Sequence, residues 1–489
     1  MVTATGLGSG LDINALVTAI VDAERVPTMA RIDGRKSDVD ALVTGYGSLK
    51  TALSTLQTAA ESLADTTKLN ATTASTSSTA ASVTATSAAQ PASYALDVSQ
   101  LASAQSLVSG SFASTSTVVG SGTLTIGIGT PTYNSAPNDK TYASFSQAST
   151  ADITIAANST LADVRDAINA SSANINASIL QSGGSYQLMI TGDSTGANQG
   201  ISVSVSGDSS GTDSDNTGLS QLVFNASAQQ MSQVKAPTDA AFSLNGLALT
   251  SNTNTITDVV DGLTLTLEST TSSSTNIAVS RDTTAITATI EAFISAYNNF
   301  AGAQKTLTKY DTTSGDSGAL QGDAMTRTIV TQVRTALTNE IKGLTGTLSV
   351  LSQLGVSIQQ DGSLKSDATV LDTAVRTKMD SVEKFFIGET VSGTLIAGFA
   401  TTFDTLLDGF LDTDGLISDK LSALDGKLKV IETDRQTFTR RLESLEDRYL
   451  RQFNAMDSLL GQITTTGNML QSQLDALPGY QNLRQSGSN

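Results

Sequence analysis

Carboxylates, lysines, tyrosines and hydroxyls are all that this chain offers for catalysis, because histidine and cysteine are both absent. That excludes triads built on histidine, cysteine nucleophiles, zinc sites of the usual ligands, and disulfides. Two acid pairs, Asp316 with Asp323 and Asp163 with Asp166, have the groups a glycosidase needs. No aromatic platform accompanies them, since aromatics make up 4% of the residues and tryptophan is missing, so charged turns and helix caps account for both pairs. Asp208, Asp213 and Asp215, and Asp412 with Asp414 beside Gly415, bring oxygen ligands of the kind calcium takes. Neither group has the closing glutamate of a helix-loop-helix site, and solvated Gly/Ser turns explain them more simply. Gly6, Gly8 and Gly10 form a glycine run like a nucleotide loop, but no strand precedes it. No catalytic, cofactor-binding or metal-binding residue is assigned, no cofactor is expected, and the chain is read as no enzyme.

The chain must therefore work through its surfaces. It has 489 residues and a formal charge of −18. Between residues 71 and 280 the only bases are Lys140, Arg165 and Lys235 among many acids. Such a surface repels phosphate, so neither nucleic acid nor anionic membrane is an expected partner. The apolar run from Leu16 to Val21 is too short for a secretory signal, and no stretch approaches a membrane span.

The strongest pattern is a pair of apolar ladders near the two ends, stepping three and four residues alternately. The first runs Val39, Leu42, Tyr46, Leu49, Leu53, Leu56, Ala60, Leu63. The second runs Leu421, Leu424, Leu428, Ile431, Phe438, Leu442, Leu445, Tyr449, Met456, Leu459, Ile463, Leu470, Leu477, with Arg435, Gln452, Thr466 and Gln473 in the remaining steps. These spacings predict long terminal helices that meet as a coiled coil. The second ladder covers about 85 Å and the first about 38 Å, so part of the second needs cover from another copy or another protein. The leg seam expected to carry association comprises Leu42, Tyr46, Leu49, Leu53, Leu56, Leu424, Leu428, Ile431, Phe438, Leu442, Leu445, Tyr449, Met456, Leu459 and Ile463.

Elsewhere the period changes. Asp12 caps a short helix reaching Pro27, and a long helix follows from Met29 to Asp65. From Ala71 a Ser/Thr/Ala tract includes strand-like Val83–Ser87 and the alternating Tyr94, Leu96, Val98. Alternation from about residue 120 to 205, broken by a helix with Leu161, Val164 and Ile168, predicts a small α+β unit. A shorter unit repeats the theme weakly from Phe242 to Val279, with a helix near Ile256–Val260. After Arg281 the spacing predicts four amphipathic helices that bundle, carrying Ile286–Leu307, Met325–Ile341, Val370–Phe385 and Leu395–Phe410, with a β-segment from Val350 to Leu364 between the second and third, turning at Asp361-Gly362.

Several blocks together resemble one family. GLGSGLDINALVTAIVDAERVP near the N-terminus, YGSLKTALSTLQ from Tyr46 onward, and SYALDVSQLASAQSLVSGSFAS from Ser93 look like signature blocks of the bacterial flagellar filament cap family, flagellar hook-associated protein 2. LQGDAMTRTIVTQVRTAL from Leu320, LGVSIQQDGSLKSDATVL from Leu354 and RQFNAMDSLLGQ from Arg451 look like its C-terminal blocks. GTLTI with STLADVRDAINAS is similar to the repeat motif of flagellin and hook-associated proteins. The resemblance covers nearly the whole chain and is weakest from about Ser206 to Pro237.

The resemblance implies a structural cap at the distal tip of the flagellum, a ring of five or six copies that retains exported flagellin and promotes its polymerisation. It implies secretion through the flagellar type III channel to the outside of the cell, an export chaperone, and contacts with flagellin and hook–filament junction proteins. The alternative is a tip adhesin that binds mucin or host glycans through the β-rich head. The expected fold is α+β and multidomain. Residues 1–66 and 420–489 form the coiled-coil leg; 67–105 with 282–419 form a helical bundle with a small β-segment. Residues 106–118 with 236–281 form one β-rich head module, and 119–235 form a second module inserted in it.

Overall fold

A computed structural model describes residues 10–134, 141–257 and 259–476. Along the chain run helix α1 (Ile13–Ala64), the single turn α2 (Thr66–Leu69), α3 (Leu161–Asn169), α4 (Thr283–Thr308), α5 (Ala324–Thr338), α6 (Ala368–Thr377), α7 (Met379–Ile387), α8 (Phe399–Leu411) and α9 (Leu416–Asp475). The chain is α+β, as expected, and divides into two compact units. One joins the segment up to Asp65 with the chain from Thr287 onward; the other is Thr66–Ile286.

The helical unit is built on α1. Asp12 caps it by accepting from the Ala15 N–H at 2.9 Å. The expected break at Pro27 does not occur, and α1 runs through it. A proline inside a helix removes one donor, here to the Ala23 carbonyl, and Val21 and Ile32 are buried on either side of it. Rings of Phe293 (α4), Phe385 and Phe386 (α7), and Phe399 and Phe403 (α8) form the centre of the bundle. The Phe293–Phe399 and Phe385–Phe399 centroids are each 5.6 Å apart, a spacing aromatic pairs favour.

Three boundaries differ from expectation. The segment Val370–Phe385 is two helices, parted at Lys378, not one. Leu395 and Ile396 lie in a hairpin, Gly388–Val391 with Thr394–Ala397, and α8 begins only after Gly398. Helix α5 stops at Thr338, short of Ile341. The β-hairpin Val356–Ile358 with Leu364–Ser366 does form, with Gly362 at φ 87° in the connecting loop, where a residue without Cβ fits best.

The second unit holds two β cores. In the first, a five-stranded antiparallel sheet runs in the order Thr72–Thr76, Thr275–Arg281, Ala92–Gln100, Ala240–Leu244, Leu247–Ser251. It shares a core of Leu96, Val98, Phe242, Leu265 and Ile277 with a three-stranded sheet of Thr255–Ile256, Leu263–Leu267 and Ala81–Ala85. Residues 67–105 thus belong with 240–281 and not with the helical bundle. Their long-range ladder partners leave no trace in local composition, which is why sequence alone groups the tract with the helical bundle that follows residue 281. No helix forms around Ile256–Val260; the described residues there are a short strand and turns, and Asp258 lies outside the described residues. The proposed repeat therefore lacks its helix.

The second core gathers the sheet Ser232–Lys235, Ser106–Val108, Ser185–Gly192, Ile175–Ser182, the sheet Tyr142–Thr160, Val118–Tyr133, Gly200–Ser206, and α3. Helix α3 starts in a capping box, Thr160 with Asp163, and buries Leu161, Val164 and Ile168. Ser106–Val108 pairs inside this module, so the boundary expected near residue 118 moves back to about Ser103. There the two connecting segments meet: Ser103 and Thr238 exchange backbone hydrogen bonds of 2.9 and 3.1 Å, and Gln105 donates to buried Gln233 at 2.5 Å.

Candidate functional site

The residues expected to act are those of the terminal ladders, and α1 and α9 do meet. Glu24 pairs with Arg441 at 3.1 Å, Arg35 with Asp434 at 3.2 Å, and Lys50 reaches Ser418 at 3.3 Å. As numbers rise on α1 they fall on α9, so the two helices run antiparallel. Farther along, Gln57 donates to Asp404 and Asp408 of α8 at 3.1 and 2.6 Å, so α8 takes over from α9 as the neighbour of α1.

The structure divides the seam into three parts. Tyr46, Leu49, Leu53 and Leu56 are fully buried within the helical unit, and Leu42 is half-buried. The four buried residues, taken as leg seam from their spacing, are core instead and have no surface left for another copy. Spacing cannot separate the two cases, because a heptad stripe fits a bundle core and a free coiled coil equally well. In the middle part Leu424, Ile431 and Leu442 are buried, and Leu428, Phe438, Leu445 and Tyr449 are half-buried. Here Ile13, Val17 and Val21 of α1 close over Leu442, with Phe438, Tyr449, Leu450 and Phe453 beside them. Beyond Phe453 the ladder is bare. Met456, Leu459 and Ile463 are exposed, the last two at 59% and 65%, as are Met469 and Leu470. Leu477 lies outside the described residues.

One cluster at the root of the coiled coil joins Tyr46 of the expected seam to residues outside it. Gly45 gives α1 a notch, and a Cβ there would sit 3.0 Å from Leu320, which is buried in the notch. Beside it Asp323 caps α5, accepting from the Thr326 N–H at 2.8 Å and its hydroxyl at 3.0 Å. Lys420 of α9 approaches Asp323 at 4.0 Å and stands 5.5 Å over the Tyr46 ring. Burial, then the Asp323 carboxylate, pushes the Tyr46 phenol far above its usual value. Burial opposes ionisation of Asp323 too, but the Thr326 N–H, the neighbouring hydroxyls and Lys420 outweigh it and hold the carboxyl below its ordinary range. A glycine within the ladder, and an aspartate just ahead of an apolar helix face, were the signals in the sequence.

The acid groups weighed for chemistry are occupied locally. Asp208 accepts from the N–H groups of Ser210 and Ser220 at 3.0 and 2.7 Å; Asp215 accepts from Thr212, Thr217 and Ser220. Those donors hold Asp215 well below the usual carboxylate range and tie the loop together. Asp163 serves the α3 capping box, and Asp412 accepts from the Thr413 N–H. Among the described residues, no helix is long and apolar enough to cross a membrane.

Comparison with known proteins agrees with this architecture. The family model for the flagellar hook-associated protein 2 N-terminus matches residues 9–105, that for its C-terminus residues 237–465, and the flagellin hook IN motif residues 123–194. The A-type flagellar hook-associated protein 2 of Pseudomonas aeruginosa is 34% identical over 348 residues, which is 67% of this chain and 70% of that protein. The flagellar hook-associated protein 2 of Escherichia coli O157:H7 is 30% identical over 331 residues, 65% of this chain and 68% of its own. The crystal structure of the flagellar cap protein FliD D1-D2-D3 domains from Escherichia coli is similar with a TM-score of 0.63 at 30% identity, covering 78% of this chain and 99% of that one. Antiparallel terminal helices in one unit, β-rich modules in the other, family matches at both ends and this likeness in three dimensions lead to one assignment: the chain belongs to the flagellar hook-associated protein 2 family.

Proposed function

We propose that this protein caps the distal end of the flagellar filament, retaining flagellin that arrives there and promoting its polymerisation. Membership of the family makes it a structural assembly protein, not an enzyme. The observation that carries the mechanism is the bare stretch of α9 after Phe453, where a row of large apolar side chains meets solvent. Burying each against the helical ends of filament or junction subunits gains roughly 1.5 to 3 kcal/mol. A contact of a few such side chains holds the cap and still lets it shift as each subunit adds. In this reading several copies, five or six, form a ring outside the cell, reached by export with a chaperone.

The test replaces Leu459 and Ile463 by Asp together. Both are exposed, so the fold is expected to stand, with an unchanged circular dichroism spectrum. Filaments should stay short, flagellin should spill into the medium, and swimming in soft agar should be lost. Full motility in this variant rejects the mechanism.

A further inference from the structure

The seam of α9 divides its solvent-facing surface into two flanks. A residue just after a seam position is turned about 100° one way, and a residue just before it about 100° the other. Between Asp425 and Arg451 the flank that follows the seam carries Asp425, Glu432, Glu443 and Glu446, with Lys429 as its single base. The flank that precedes it carries Lys427, Arg441, Arg448 and Arg451, with Asp434 as its single acid. All ten are exposed. Helix α1 uses little of this charge: Arg441 pairs with Glu24 and Asp434 with Arg35. Among the described residues, Lys427 has no ion pair, Arg448 lies over the ring of its neighbour Tyr449, and Arg451 reaches 4.0 Å toward Asp447 on its own helix. The basic flank also holds an apolar groove between Val39 of α1 and Ala423, Gly426 and Val430 of α9, where Val430 is 57% exposed.

We propose that these flanks join neighbouring copies of this chain, the basic side of one leg packing against the acidic side of the next. A foreign partner of one charge would engage one flank and leave the other without purpose. Opposite signs at the same level of one helix fit a second copy of that helix, and charges flanking a seam are what set partner and register in coiled coils. The two surfaces differ, so the contact runs head to tail and closes into a ring where the rotation allows. The groove beside Val430 adds apolar area to the basic side. This inference deepens the ring reading above and rests on it.

The experiment uses the full chain. One variant carries Lys427→Glu, Arg448→Glu and Arg451→Glu; a second carries Glu432→Lys, Glu443→Lys and Glu446→Lys; a third carries all six. None of these residues pairs with α1, and unchanged helicity shows that the leg persists. Sedimentation and electron microscopy at about 0.05 M and 0.5 M salt, where screening differs strongly, read the assembly. The parent should form rings that weaken in high salt. Each triple variant should associate at least about tenfold more weakly, and the sixfold variant, its flanks exchanged, should regain rings. Triple variants that assemble like the parent overturn the proposal, as does a sixfold variant that stays dispersed. If the triple variants form rings but cells lose motility, the flanks serve flagellin and the proposal falls while the cap function stands. A parent that supports swimming yet forms no rings also overturns it without touching the capping reading.

Discussion

Asp323 does three things at once: it caps α5, neutralises Lys420 on α9, and lies against Tyr46 on α1. Replacing it by Ala should cost about 1 kcal/mol, the usual value of a lost N-cap. The pH dependence has a definite sign. The folded-state carboxyl titrates below its unfolded value, so its contribution is complete above the unfolded pKa and disappears as pH falls through the folded one. Urea melts of parent and variant should therefore differ at pH 7 and converge in acid below the folded pKa. A gap that persists there would mean that the side chain acts through its shape and not its charge. Gly45 and Leu320 add a steric fit at the same place, and together these residues fix where the coiled coil leaves the bundle.

At the scale of elements, Pro27 sits in α1 between Val21 and Ile32, buried residues eleven positions apart. Ile431 and Leu442, also buried and also eleven apart, lie on α9 at the same level. On α9 that interval holds the seam steps Arg435 and Phe438, so the three-and-four pattern passes the level of the proline unbroken. Pro27→Ala should restore a backbone hydrogen bond and raise stability by up to about 3 kcal/mol, seen as a higher melting temperature at 222 nm. An unchanged melt would show that α9 already holds that turn. The long helices were legible in sequence because their period persists over many turns. Pro27 misled because a local rule met a helix braced on both sides. The strands around Val83 and Tyr94–Val98 were legible as strands, whereas Thr72–Thr76 was hidden in a Ser/Thr/Ala tract, and no partner was legible, since pairing with residues near 240 and 280 depends on contacts far along the chain. Likewise the ladder showed an apolar face without telling which part becomes core: Leu49, Leu53 and Leu56 are closed off by α8 and its neighbours, whereas Leu459 and Ile463 stay open.

For the molecule as a whole, the inserted module is set apart by its own core and joined through a neck, beside which Thr195 and Ala197 also hydrogen-bond to Asn252 and Asp239. Its two connecting segments meet at the bridge between Ser103 and Thr238. Removing residues 104–237 and joining the neck through two glycines should leave the remaining sheets paired, because a two-residue turn closes an antiparallel bridge. Resistance to limited proteolysis and a single cooperative melt would bear this out; an unfolded product would show that the module supports its base. Two backbone segments held within hydrogen-bonding distance form a socket. Any compact fold whose termini lie side by side can be plugged into it, so this junction offers a place to display a foreign antigen or enzyme at the end of a living filament.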